Sequence, residues 1–406
     1  MSNTPLRGIR VLDLTTVVVG PACTQRLADY GAEVIKVEMR GGDLLRSLGG
    51  RSPTGQHGGC YLHLNRKKRT VCLDLKAEAG RDALLAIAAG CDVLVTNMRP
   101  EALRRLGLDA ARLRARLPRL VYCTITGFGP GGPYEGKPAY DSVVQGAAGI
   151  GGLFERRDGA PSYVPLLLCD HLVGEIAAGA VMSALFERER AGEGSAIEVP
   201  MHETMAAFVL AEHLGAQSFS PPIGAPGDVR LLDPNNRPMR TADGWISLTA
   251  NTDAQVRAFF TVLGRPDLAD DPRFVSVASR VRHVRHWYAE RGRLVEERRT
   301  AELLELFAAA DVPAMPCHSL ESLLEDPHLN AVGLFRDVEH PTEGRVRSLR
   351  PTVLHDGAPA EAGRAASPVG YDTRAVLLEA GLPGEEIDRL MACGTAHQHE
   401  GGVAPG

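Results

Sequence analysis

Residues 8–38 read as a strand, a helix and a second strand: "IRVLDLT" and "AEVIKVE" are β-rich, Pro21 suits a first helical position, and Gly31 suits a helix stop. The alternation returns with "TVCLDL" from Thr70, a helix over about 78–89 closed by Gly90, "DVLVTN", a helix near 101–106, and "LVYCTITGFG". Strands alternating with helices of this length predict an α/β fold built on a parallel sheet with helices on both faces. Ligands of such sheets bind at the loops that follow the carboxyl ends of the strands.

The chain is long enough for two domains at 406 residues. The first domain is expected over 1–220, followed by a Pro-, Gly- and Asn-rich linker over 221–238 and a smaller α+β domain over 239–333. Residues 334–406 then return to the first domain, with the last dozen frayed. A formal charge of −5 leaves no footprint for nucleic acid or an anionic membrane. No secretory signal precedes "GIRVLDLT", and the apolar stretch after Val164 is interrupted by Asp170, His171 and Glu175. Eight cysteines without a CxxC pair fit reduced thiols in the cytoplasm, each a small buried apolar residue, with no metal or disulfide framework.

The first turn, "VVVGPACTQ", lacks the GxGxxG spacing of a dinucleotide site, although Glu38 ends the second strand where a ribose-binding acid would sit. Cations are better placed: Arg40, the "RKKR" run over 66–69, Lys76, Arg99, Arg104 and Arg105 all follow strands or open helices, so they could form a basic rim for a polyphosphate. Only five of the 45 basic residues are lysines (Lys36, Lys67, Lys68, Lys76 and Lys137), which suggests positions where a compact charge suits a phosphate, unless genomic composition explains the bias. Asp170 stands before a long apolar helix expected over 171–190. It reads either as that helix's N-cap or as a carboxylate nucleophile.

Six blocks in order, "GIRVLDLTTVVVGPACTQRLADYGAEVIKVE", "NRKKRTVCLDLK", "DVLVTNMRPEALRRLGL", "YCTITGFGPGGPY", "PAYD" and "GEGSAIEVPMHETM", resemble the class III CoA-transferases. The resemblance runs from about Leu6 to at least Leu354. It implies a Rossmann-like large domain, coenzyme A bound as the acyl-CoA substrate without a metal, and an interlocked homodimer. Asp170 then matches the catalytic aspartate. Val17, Arg40, Leu73, Lys76, Asn97, Met98, Arg105 and Tyr140 match CoA contacts.

The resemblance also implies a carboxylate relay in which Asp170 carries the acyl group as a mixed anhydride and CoA as a thioester. Amides of the Gly-rich loop over 127–132, or of the helix start, are candidate oxyanion donors, and Lys137 could add charge. Alternatives are an α-methylacyl-CoA racemase, which needs a His where Tyr140 precedes Asp141, and a non-catalytic acyl-CoA binder. "VVVGP" and the lack of a triple glycine argue against formyl or oxalyl substrates. The remaining pattern is closer to members using succinyl-CoA and small dicarboxylic acids, with His171, His202 or Arg240 as possible acyl-pocket residues.

Overall fold

The computed structural model describes residues 4–361 and 363–400, which divide into two compact units. Of these described residues, the first unit comprises 4–148, 164–207, 328–361 and 363–400, and the second comprises 149–163 and 208–327. The opening elements are β1 (Arg10–Leu14), α1 (Val19–Asp29), β2 (Glu33–Glu38), α2 (Gly59–Leu64), β3 (Arg69–Leu73), α3 (Glu78–Ala89), β4 (Val93–Thr96), α4 (Pro100–Leu106), α5 (Ala110–Arg116) and β5 (Val121–Thr126). They continue with α6 (Asp141–Ala147), α7 (Ile150–Asp158), α8 (Leu168–Ala191), β6 (Ala196–Pro200) and α9 (Met201–His213).

Six strands pair in parallel in the order β3-β2-β1-β4-β5-β6, so the direction of winding reverses between β1 and β4. A crevice opens at such a reversal because the loops after the two central strands leave in opposite directions. One face of the sheet is apolar: Leu12, Ile35, Val71, Leu94 and Tyr122 pack with Leu84 and Ile87 of α3 and Leu103 of α4. Val376, Leu377, Ile387 and Leu390, from the helices Thr373–Glu379 and Gly384–Ala392, join this core. The other face carries the buried charges Asp13 and Lys36 beneath α1.

Several local expectations change. Helix α1 begins at Val19, which places Pro21 third in it rather than first, still among the amides without an intrahelical acceptor. The chain end expected to fray instead gives a two-residue strand, Ala396–His397, antiparallel to β3; residues 401–406 lie outside the described residues. Thr373 fixes it by donating its hydroxyl to the His397 carbonyl at 2.7 Å. Cys317 and Cys393 are exposed, contrary to the expectation for cysteines.

Helix α8 is the one described helix long and apolar enough to cross a membrane, yet half of its apolar window is buried within the protein. It crosses α1 closely because Gly174 has no side chain: a Cβ there would lie 2.7 Å from the Val19 carbonyl oxygen and 2.8 Å from Ala22 Cβ. Gly174→Ala is expected to destabilise the protein by about 1–2 kcal/mol, since overpacking against backbone outweighs the gain in helix propensity. Chemical denaturation at one pH measures this, and unchanged stability would refute the close-crossing account.

In the second unit, strands Met239–Arg240, Trp245–Leu248 and Ala314–Pro316 form a small antiparallel sheet. Phe259, Phe260, Trp287 and Phe307 pack edge to face or stacked in its core, and Phe274 meets Phe260 and Trp287 at a tilt.

Candidate active site

The loops after β1 and β4 are tied across the winding reversal. The Thr16 amide donates to Asn97 Oδ1 at 2.9 Å, and Asn97 Nδ2 donates to the Thr16 carbonyl at 2.9 Å. Beside this junction lies a cleft of about 380 Å³ within the first unit, lined by residues that include Val17, Asn97, Met98, Arg104, Lys137, Tyr140, Asp170 and Glu198.

Asp170 is the third residue of α8 and does not cap it. The cap comes from Asp141, whose Oδ1 accepts from the Cys169 amide at 2.8 Å and the Asp170 amide at 3.1 Å. Gln145, one turn along α6, donates to Asp141 Oδ2 at 2.6 Å and accepts from the Val164 amide at 2.9 Å, so α6 grips the segment leading into α8. The Asp170 carboxylate is thereby left without a hydrogen bond to any described residue while it lines the cleft. Burial pushes its pKa up to about 7, with the nearby Asp141 charge adding to the shift.

The CoA contacts expected from the sequence separate into two groups. Val17, Asn97, Met98 and Tyr140 line the cleft with Asp170. Arg40 and Lys76 are exposed after β2 and β3, on the same edge of the sheet but outside the cleft lining. Leu73 is fully buried in the core, so only its main chain could face a ligand. Arg105 is exposed on α4, and its neighbour Arg104 occupies the lining instead. Of the acyl-pocket candidates, His171, His202 and Arg240 are absent from the lining, although His202 packs against Phe128 and Tyr134.

The basic run is largely structural. Arg66 pairs with Asp29 at 2.6 Å, and Arg69 bridges Glu33 and Glu379. Lys68 is fully buried against Asp13 at 3.1 Å, and burial pulls its pKa down to about 8 despite that partner. Lys36 is also fully buried, paired with Asp43 at 3.0 Å. Neither lysine can meet a phosphate there.

Two of the Gly-rich loop's amides are already occupied: the Gly129 amide donates to Glu203 and the Gly131 amide to Glu135. The uncapped start of α1, where Val18 and Val19 line the cleft, presents helix-end amides instead.

Among the described residues, His57, His340 and Glu343 have metal-ligand composition, but their hydrogen bonds oppose that use. Arg46 donates to His57 Nδ1, and the Thr342 and Glu343 amides donate to His340 Nδ1. Each neutral ring must then carry its proton on Nε2, and since Nδ1 is already accepting a hydrogen bond, neither nitrogen has a free lone pair for a cation.

The reversed parallel sheet thus carries, in the lining of its cleft, a carboxylate that accepts no hydrogen bond from any described residue. Residues 6–373 match the model of CoA-transferase family III, and the chain belongs to that family. It is 33% identical over 390 residues to the succinate–glutarate CoA-transferase of Agrobacterium fabrum, covering 92% of this chain and 95% of the relative. It is 30% identical over 402 residues to the human succinyl-CoA:glutarate CoA-transferase, covering 98% and 91%. A CAIB/BAIF family protein from Brucella suis superposes with a TM-score of 0.78 at 29% identity, covering 93% of this chain and all of that one.

Proposed function

We propose that this class III CoA-transferase moves CoA from succinyl-CoA, or a similar donor, to a small dicarboxylic acid through Asp170. The observation that carries the reading is the unbonded Asp170 carboxylate lining the cleft at the β1/β4 reversal. The names of the Agrobacterium and human relatives support the substrate class.

An Asp170 oxygen attacks the donor thioester carbonyl, the C–S bond breaks, and a mixed anhydride and CoA thiolate form. The thiolate attacks the Asp170 carbonyl carbon, releasing the donor carboxylate and leaving an aspartyl-CoA thioester. The acceptor carboxylate attacks that thioester and expels the thiolate, giving a second anhydride. The thiolate then attacks the acceptor carbonyl and frees Asp170 as a carboxylate. Every step develops negative charge on a carbonyl oxygen, which the Val18 and Val19 amides are placed to receive.

Val17, Asn97, Met98 and Tyr140 hold CoA near its thiol, with Arg40, Lys76, Arg105 and the Leu73 main chain along the same sheet edge. Homodimer formation is supported by Ile176 and Phe186 of α8, which are exposed and apolar. The enzyme works in the cytoplasm.

The purified protein incubated with succinyl-CoA and a panel of dicarboxylic and hydroxy acids is expected to yield a new acyl-CoA with glutarate-like acceptors, followed by mass spectrometry. Loss of stereochemistry in a chiral 2-methylacyl-CoA, without any new thioester, would replace the transferase reading with the racemase one.

A further inference from the structure

Val17 is β-branched, yet its φ is 66°, in the left-handed region that such residues rarely occupy. A conformation of this kind persists only where the surroundings impose it. Here the imposing groups lie beneath the turn. The Val17 amide donates to Asp43 Oδ1 at 2.9 Å, and the Leu45 amide shares that oxygen at 3.0 Å. Asp43 Oδ2 pairs with Lys36 Nζ at 3.0 Å, and the same ammonium donates to the Thr15 carbonyl at 2.8 Å. One fully buried ion pair therefore grips the turn on both sides, by its Thr15 carbonyl and its Val17 amide.

The rest of the network fixes the pair from behind. The Asp43 amide donates to Glu38 Oε1, Glu38 is bridged by Arg46 at 2.7 Å, and Thr15 is held a second time through Asp13. Above the turn, Thr16 and Asn97 lock the two central loops together. Helix α1 starts two residues beyond Val17, so the turn sets where its first amides point.

We propose that Lys36 and Asp43 form a clamp that holds the Val17 turn in its left-handed conformation, which makes Asp43 a positioning residue for CoA transfer. This rests on the reading of Asp170 as the acyl-accepting group. The clamp touches no substrate. It aims the cleft wall and the α1 amides at the reacting carbonyl, where a displacement of about 1 Å costs on the order of 100-fold in rate.

The test compares Asp43→Ala with Asp29→Ala, which breaks the buried Arg66 pair away from the turn. Hydrogen exchange of the segment 12–20 is followed beside steady-state kinetics. Asp43→Ala is expected to speed exchange of the Val17 amide at least tenfold and to lower kcat roughly 10- to 100-fold, with a smaller change in KM for the acyl-CoA. Asp29→Ala is expected to lower the melting temperature without either effect. Should Asp43→Ala not fold, Asp43→Asn combined with Lys36→Met leaves no buried charge unpaired and keeps an acceptor for the Val17 amide but removes the grip on the Thr15 carbonyl; Val17 exchange should speed a few-fold and kcat should fall by less than about tenfold.

Unchanged exchange in Asp43→Ala, or faster exchange with unchanged kcat, would overturn the clamp as a positioning device. So would a fast-exchanging double variant with full kcat. Wild-type protein that transfers no CoA would remove the transferase reading and, with it, the catalytic role of the clamp, while the exchange data would still decide whether the pair holds the turn.

Discussion

Asp170→Ala is expected to lower kcat for CoA transfer by a factor on the order of 10⁴ or more, with acyl-CoA binding changed by less than about tenfold. Four carboxylates are near enough to compete for the role, and hydrogen bonding separates them: Glu135, in the cleft lining, accepts from the Gly131 amide at 2.9 Å. Asp141 has both oxygens engaged, one by the Cys169 and Asp170 amides and the other by Gln145. Glu198 accepts from Thr126 Oγ1 at 3.1 Å. Asp170 alone among them accepts no hydrogen bond from a described residue, and the proposed route through an anhydride has no substitute once its carboxylate is gone. Residual turnover within tenfold of wild type would end this assignment. A CoA adduct on the peptide carrying Asp170, found by mass spectrometry after incubation with donor alone, would be the positive counterpart.

Much of the sheet was legible because its signals are local and periodic. The β-rich runs around Leu12, Ile35, Val71, Val95 and Cys123 became five successive parallel strands. The strand Ala396–His397 was not legible, since two residues carry no period and it exists only through pairing with β3 and the bond from Thr373. The start of α1 was misplaced by reading Pro21 as a first residue. Proline is tolerated anywhere among the initial amides that lack intrahelical acceptors, so it marks the first turn rather than the first position.

The site was legible where a residue type carries the chemistry, and obscure where a distant partner decides its state. Asp170 before an apolar helix looked like a local cap, yet the cap arrives from Asp141, 29 residues upstream. The signal was present in "PAYDSVVQ", where Asp141 and Gln145 stand at i and i+4, but nothing local says which helix they serve. Lys36 and Lys68 look like surface cations in a strand and a basic run; their burial follows from Asp13 and Asp43, contributed by other elements. The strain at Val17 could not be read at all, because three successive valines favour extended backbone.

Asp170→Asn should make the protein more stable than wild type at pH 8, and less distinctly so at pH 5. In the folded chain the carboxyl's pKa is pushed up to about 7 by burial and by Asp141, whereas in the unfolded chain it is near 3.9. Between roughly pH 4 and pH 7 the folded state therefore holds a proton that the unfolded state has released, and folding stability falls as pH rises through this window. Above it the fold bears the full cost of a desolvated carboxylate. Asn keeps the shape and cannot ionise, so its advantage over wild type should grow by about 2–3 kcal/mol between pH 5 and pH 8. Urea denaturation of both proteins at the two pH values measures the difference; an equal gap at each would mean that the carboxyl titrates normally. In the proposed mechanism the same ionisation generates the attacking species, so kcat/KM for transfer should climb as pH rises toward and through 7. The carboxylate is thus least comfortable in the state that the proposed mechanism requires, so one and the same ionisation would burden the fold and arm the nucleophile.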